Sequence, residues 1–328
     1  MIAFTICSNN YIPRAQVLCA SIKKLSKIPV YLFLVDYKSQ EIVYESLGFD
    51  KVVFLEELSI TNLQWMKERY NVIEFNTAIK PFAFQYILKS TSYSVIYYFD
   101  PDIKVYQPIE AFDDLWKNDK IFLTPHALTP LPFDDKFPGE NLFLNHGTFN
   151  LGFIGLRRSD VVNKFLEWWA ERMKEHCLID LREGFFVDQI WCNLIPIYYK
   201  DDVKICGHFG LNVAYWNLHE RKIGVAENEF FINSREKLFF YHFSHFDLNL
   251  KNLSPKQENA RFNFLNRPDI IDLYRDYKRD LLNYNTDKFA AVKYFNGIYP
   301  FPPIPVPIYR RVIKRVKKEI QNSMKNGK

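Results

Sequence analysis

The chain has 328 residues, 48% hydrophobic and 25% charged, enough for one large α/β core or a main domain with a smaller appendage. Its formal charge of +5 is unevenly spread: Tyr309 to Lys328 holds eight Lys/Arg and one Glu, a net of +7, which leaves 35 bases against 37 acids for everything before. Basicity is thus a property of the tail, the body offers no nucleic-acid surface and no zinc-finger or helix-turn-helix spacing, and no segment has the uninterrupted apolar length of a membrane span.

In chain order, MIAFTICSNN goes straight into a strand-like run without a basic leader or cleavage site, so a cytoplasmic protein is expected. IAFTIC reads as strand, IPRAQVLCASIKKL as amphipathic helix, VYLFLVD as strand, SQEIVYESL as helix and KVVFL as strand. A helical stretch over FNTAIKPFAFQYILK precedes the strand SVIYYF. The segment from His126 to His146, with Pro130, Pro132, Pro138 and Gly139, is expected as a long loop of the kind that forms functional lids. GTFNLGFIGL then reads as strand, DVVNKFLEWWAERMKEH as amphipathic helix and FFVDQIWCNLIPIYY as a second helix. FPPIPVP is a stiff connector ahead of a basic helix candidate. Alternating strands and helices predict a mostly parallel sheet covered by helices, a nucleotide-binding type of architecture. Cys7, Cys19, Cys177, Cys192 and Cys206 form no CxxC pair and no metal-ligand spacing, and are expected as small buried thiols.

The run VIYYFDPDIKVY carries the first chemical signal. An apolar strand ends on Asp100 and Asp102, and a carboxylate that leaves water without a partner costs several kcal/mol, so both belong near water or a cation. Two carboxylates at this spacing suit a hard divalent ion that bridges to phosphate oxygens; alternatively they form an Asp-Pro turn that only stops the strand. After the first strand, where α/β folds open their ligand crevice, Asn10 is placed to bond a base or ribose and Tyr11 to stack, or the two form an ordinary turn. Lys80 is a cation for a diphosphate or part of a solvated helix face. Asp188 and Gln189 read as a helix-surface pair, and His242 and His245 as core histidines. LNVAYWNLHER lines a pocket with its polar side or satisfies loop backbone. The tail puts Tyr309, Val312, Ile313, Val316 and Ile320 on one face of a basic helix, suited to anionic lipid or to a solvated terminus.

Taken in order, these motifs resemble glycosyltransferases of the GT-A (nucleotide-diphospho-sugar transferase) fold, with a closer likeness to retaining family 8 enzymes and to bacterial stand-alone polysaccharide transferases. The resemblance covers residues 1–262. It implies that Asn10 and Tyr11 contact a uracil nucleotide and that Lys80 stands where the family has a basic residue, usually Arg. Asp100 and Asp102 match its DxD. Asn150 and Gly152 in FNLGF match the Asn-x-Gly strand beside the donor sugar. Asp188 and Gln189 in VDQIWCN match a DQD element at the anomeric centre, with Ile190 in place of its second Asp. His242 in YHFSHFD matches the third protein ligand of Mn2+ or Mg2+. The phosphate-binding Lys of the family's Lys-Pro-Trp is absent, and Lys251 is the substitute at a different spacing.

The expectation is therefore a GT-A catalytic domain over 1–262, a helical and proline-rich extension over 263–308 and a basic amphipathic tail over 309–328. The expected activity is transfer of a sugar from a nucleotide diphosphate, UDP-sugar by resemblance, to a glycan or lipid-linked oligosaccharide in surface polysaccharide synthesis. Retention of configuration is implied by the resemblance alone. The enzyme would be cytoplasmic or peripheral at the inner face of the membrane. The rivals are a catalytically silent nucleotide-sugar-binding subunit and a nucleotidyltransferase, although CSNNYIPRAQ lacks the glycine- and lysine-rich phosphate loop that the latter needs.

Overall fold

The fold comes from a computed structural model that describes residues 1–249, 253, 259–284, 286–292 and 294. Lys251, the proline-rich 301–307 stretch and the basic 309–328 segment lie outside the described residues.

The strands that build the main sheet and the site are β1 (Ile2–Cys7), β2 (Val30–Leu34), β3 (Lys51–Phe54), β4 (Val95–Phe99), β5 (Ile103–Val105), β6 (Ile121–Pro125), β7 (Phe149–Arg157), β8 (Val203–Ile205) and β9 (Phe240–His242). Seven of them form one sheet in the order β8-β6-β7-β4-β1-β2-β3. Every pairing in it is parallel except those of β7, which runs antiparallel to both β4 and β6. The expected architecture, a mostly parallel sheet flanked by helices, is the one found.

β1 and β4 are buried at every position, as strands covered on both faces must be, and their side chains alternate between two cores. Phe4, Ile96 and Tyr98 join one with Phe84 and Trp169, while Ala3, Tyr97 and Phe99 join the other with Leu18 and Trp116. The helices that cover the sheet include α1 (Ile12–Leu25), α2 (Val72–Ala78), α3 (Lys80–Ser90), α4 (Glu140–His146), α5 (Asp160–Glu175), α6 (Gln189–Cys192) and α7 (Ile271–Leu282). No helix among the described residues is long and apolar enough to cross a membrane.

Four local expectations are corrected. SQEIVYESL is turns and a short 3-10 segment over Tyr44–Ser46, because Ile42, Tyr44 and Leu47 are buried against β2 at a spacing that no single helix face provides. FNTAIKPFAFQYILK is split between α2 and α3: Pro81 lacks an N–H and sits in the first turn of α3, where none is needed. The loop expected to run to His146 ends at Gly139, where α4 begins. FFVDQIWCNLIPIYY is not one helix: Phe185–Phe186 pairs with Ile179–Asp180, Val187 takes a positive φ of 42°, and α6 is followed by a separate turn over Ile195–Tyr198 started by Pro196.

β5 and β9 form a two-stranded antiparallel ribbon apart from the main sheet, with His242 opposite Ile103. α7 packs Tyr274 and Tyr277 against Tyr241 and Phe243 of this region. Phe289 and Val292 pack with Cys7, Ile12 and Leu47, beside the turn that follows β1.

Candidate active site

The crevice lies at the carboxyl ends of the parallel strands. Because β7 is antiparallel, it is the start of that strand that arrives there: the Asp100 N–H donates to Gly152 O at 2.7 Å, just past β4. A cavity of about 570 Å³ is lined there by Lys80, Asp100, Asp102, Asn150, Gly152, Asp188, Gln189 and His242, eight of the eleven expected site residues.

Asp100, Asp102 and His242 each place a ligand atom within 4.8 Å of the other two. His242 Nε2 is 3.0 Å from Asp102 Oδ1 and 3.8 Å from Asp100 Oδ2. The ladder fixes this approach, since the Phe243 N–H donates to Asp102 O at 2.9 Å. Burial opposes the charge on Asp102, yet His242 and Arg14 hold its carboxyl below the usual carboxylate range. Burial likewise lowers the His242 imidazole, and Asp102 more than offsets it, so the ring stands above its ordinary value.

The orientation of His242 follows from its neighbours. Asn150 Oδ1 accepts the Gly152 N–H at 3.2 Å, so the atom facing His242 Nδ1, also at 3.2 Å, is an oxygen. Nδ1 therefore carries a proton, and Nε2 is the nitrogen left for a cation, as in metal-bound histidines fixed by an outer partner. Two carboxylates and a neutral imidazole nitrogen are a donor set that fits Mn2+ or Mg2+. Gly152 provides the room: a Cβ there would lie 2.6 Å from His242 Cε1, 2.8 Å from Asn150 Oδ1 and 2.9 Å from Asp100 Oδ2.

Gln189 locks Asn150 from the other side. Its Oε1 accepts Asn150 Nδ2 and the Leu151 N–H, both at 3.1 Å, and its Nε2 donates to His146 O at 2.8 Å. Backbone groups thus fix both amide orientations. The close approach requires Gly147, whose φ is +105° and whose Cβ would lie 2.8 Å from that of Gln189. Next to it, fully buried Asp188 accepts from Lys80 Nζ at 2.9 Å. Lys80 also donates to Leu151 O at 2.9 Å, sits over the Tyr98 ring and reaches Asp100 at 4.0 Å. Burial pulls the Lys80 ammonium down, but Asp188 and Asp100 hold it above the ordinary lysine value. Burial also pushes the Asp188 carboxyl above the usual carboxylate range, and the Lys80 ammonium offsets only part of that. Val187, the residue before Asp188, holds a conformation that β-branched side chains rarely adopt, a strain of about 1–3 kcal/mol of the kind that collects at functional sites.

Asn10 and Tyr11 stand on the 3-10 turn after β1. Asn10 Oδ1 is buried without a hydrogen-bond partner among the described residues. Tyr11 is 40% exposed, with the Arg14 guanidinium 4.9 Å over its ring. Burial raises its hydroxyl, and so do Asp102 and Asp100, which ties this turn to the acidic cluster.

Several residues of the site carried no signal of their own in the sequence. Asn9 fixes the turn: its N–H donates to Asp36, its side chain donates to Tyr37 O and accepts from Tyr44. His126 accepts from Asn150 Nδ2 at 3.3 Å, which places its proton on Nδ1, and burial lowers it to about 3. Trp216 packs edge-on against His242 at 5.2 Å and against His126 at 5.5 Å. LNVAYWNLHER divides its labour. Tyr215 and Trp216 line the cavity, whereas Asn217 satisfies backbone at His126 O, Asn212 O and the Ala214 N–H. The segment before α4 is tied down twice. Glu220 accepts the Leu128 and Thr129 N–H groups, and Arg261 pairs with Asp134 while donating to Pro132 O and Pro138 O.

No family model matches the chain. The uncharacterised protein YfnD of Bacillus subtilis (strain 168) is 25% identical over 260 residues, covering 75% of this chain and 79% of that one. Among solved structures, the chain is similar to the apo form of mouse xyloside xylosyltransferase 1, with a TM-score of 0.43 and 15% identity over 74% of this chain and 97% of that one. It is similar to the galactosyltransferase LgtC in complex with donor and acceptor sugar analogues, with a TM-score of 0.47 and 12% identity over 87% and 96%. It is also similar to the glycosyltransferase GlyE of Streptococcus pneumoniae TIGR4, with a TM-score of 0.46 and 12% identity over 88% and 64%.

Proposed function

We propose that the protein is a metal-dependent GT-A glycosyltransferase that moves a sugar from a nucleotide diphosphate, UDP-sugar by the motif resemblance, to a hydroxyl of a glycan acceptor. The observation that carries this is the single cavity in which Asp100, Asp102 and His242 meet, with His242 oriented by Asn150 and Asn150 by Gln189. A divalent cation bound by Asp100, Asp102 and His242 supplies positive charge against which a diphosphate leaves. Tyr11 stacks on the base and Asn10, with its unpartnered oxygen, bonds the nucleoside. Lys80 holds Asp188 and adds positive charge on the diphosphate side. Asn150 and Gly152 border the donor sugar, and Asp188 and Gln189 face its anomeric carbon, where a carboxylate stabilises growing positive charge. Lys251 remains the candidate for a second phosphate contact. The acceptor is a glycan or lipid-linked oligosaccharide of surface polysaccharide synthesis, reached through membrane contact of 309–328, and the sugar is transferred with retention.

The test is metal-dependent binding and turnover. UDP should raise the melting temperature only with Mn2+ or Mg2+, and a screen of UDP-sugars should give hydrolysis or transfer whose product anomer is read by NMR. Asp102→Asn should remove both, with a loss in turnover on the order of a hundredfold or more for several kcal/mol of lost charge stabilisation. Full activity in chelator, or in the variant, overturns the metal assignment. Tight binding without turnover of any sugar nucleotide would instead identify a silent binding subunit.

A further inference from the structure

The ribbon that brings Asp102 to His242 is two strands wide, edged by a single bridge from Val213 to Tyr241, and a ribbon of that width is not stable without something packed on it. α1 packs on one side of β5, and α7 adds to that packing through a charge cluster built on a buried lysine. Lys104, the middle residue of β5, stands opposite Tyr241, one rung from the Ile103–His242 pair. Its side chain is 9% exposed, and its ammonium lies 2.5 Å from Asp276 and 2.6 Å from Asp280, carboxylates one helical turn apart on α7. Tyr106, just past β5, donates to Asp276 at 3.2 Å. The apolar side of the same helix stacks Tyr277 on Phe243 at 3.9 Å, and the Phe243 N–H is the group that holds Asp102 O. Lys104, Asp276 and Asp280 line a separate cavity of about 510 Å³ and none of them lines the one that holds the acidic site.

The carboxylates also pair with Arg279 on their own helix, but sliding β5 along α7 leaves the buried Lys104 ammonium without a counter-charge, at a cost larger than most packing differences. A one-residue slip of β5 would also turn its side chains to the opposite face. The cluster therefore fixes the register of the ribbon, and the register fixes the distance between a carboxylate and an imidazole that would share one cation. We propose that Lys104, Asp276 and Asp280 are positioning residues that set the divalent-cation affinity of the Asp100–Asp102–His242 site from outside it, which makes α7 a working part of that site. This inference rests on the metal assignment above.

The experiment uses the full-length protein with Mn2+ as the probe. The dissociation constant is measured by calorimetry and by loss of the free-ion EPR signal, beside the melting temperature in chelator. Lys104→Met and the pair Asp276→Asn with Asp280→Asn should each weaken Mn2+ binding about tenfold, the low end for groups that orient metal ligands from beyond the coordination shell. Lys104→Arg should retain the affinity. Combining Lys104→Met with both Asn substitutions removes all three charges, so it should recover most of the melting temperature while the weak Mn2+ binding persists. That combination also serves if Lys104→Met alone fails to fold. Wild-type Mn2+ affinity in the triple variant, or lowered melting temperatures with unchanged affinity across the set, overturns the positioning role and leaves the metal assignment standing. A wild-type protein that binds no Mn2+ overturns both.

Discussion

Asn150 Oδ1 accepts from His242 Nδ1 at 3.2 Å, and this contact leaves the opposite ring nitrogen 3.0 Å from Asp102. Residues from three separate parts of the chain are thereby set around one point. The same asparagine is gripped by Gln189 and flanked by Gly152, so disturbance at any of these positions should be felt at the acidic site.

Gly152→Ala is the smallest such disturbance. The added methyl would meet three side chains at 2.6–2.9 Å, two of them in the acidic site. Overpacking of this kind costs about 1–3 kcal/mol. Urea denaturation should show that loss, and Mn2+ titration should show weakened binding alongside it. A variant with unchanged midpoint and unchanged metal affinity would mean that the side chains retreat without consequence.

On the proposed placement of Asp188 and Gln189 at the donor's anomeric carbon, Gln189→Ala and Asp188→Asn should lower kcat more than they raise KM, because groups there act more on the transition state than on bound substrate. Gln189→Ala carries a further expectation. It leaves the Leu151 N–H and His146 O without their partner, at about 1–3 kcal/mol for each buried group left unsatisfied. A melting-temperature drop with unchanged kcat would assign Gln189 to structure alone.

Acid should destabilise the fold through His126. Burial lowers its imidazole from 6.5 to about 3, so between these values the unfolded chain binds a proton that the folded one refuses. Stability from this group is present above pH 6.5 and is lost as pH falls toward 3, at no more than about 1.4 kcal/mol per pH unit. Urea midpoints from pH 7 to pH 4 should therefore fall less steeply for His126→Gln than for the wild type. Parallel curves would place the acid sensitivity elsewhere.

Deleting residues 309–328 should leave turnover of a soluble acceptor nearly unchanged and reduce sedimentation with anionic vesicles. The +7 charge is confined to this segment, and each Lys/Arg near an anionic surface contributes about 1 kcal/mol. Salt should weaken the intact protein's binding, since the Debye length is about 10 Å at 0.1 M. Equal binding by both proteins would remove the membrane role.

The features legible in the sequence were those encoded over short spans. Asp100 and Asp102 stand out because charge follows an all-apolar run within two residues. The alternation of strands and helices is likewise local. SQEIVYESL was not legible because Val43, Tyr44 and Leu47 suit a helix face in isolation, and only the presence of β2 draws Ile42 inward with Tyr44 and Leu47 and leaves Val43 exposed. The Lys80–Asp188 pair spans 108 positions and has no local signature, so Lys80 looked like a solvated cation or a phosphate ligand when its nearest partner is a buried carboxylate. His126 was hidden for the same reason. Its neighbours Asn150 and Trp216 are supplied by other elements, and a histidine at the edge of a proline-rich loop has no pattern of its own.

The reversed direction of β7 has a consequence for how such a protein can change over generations. Six strands deliver their ends to the crevice and β7 delivers its beginning, so the connection from β6 to β7, residues 126–148, opens and closes on the same side as the site. Between Thr129 and Asn145 it can lengthen, shorten or acquire new side chains without shifting a sheet hydrogen bond or the Gly147 contact that seats Gln189. The rim of the cavity, to which Phe137 and Leu142 belong, can thus drift in this one connection while Asp100, Gly152 and the strands that seat them stay fixed.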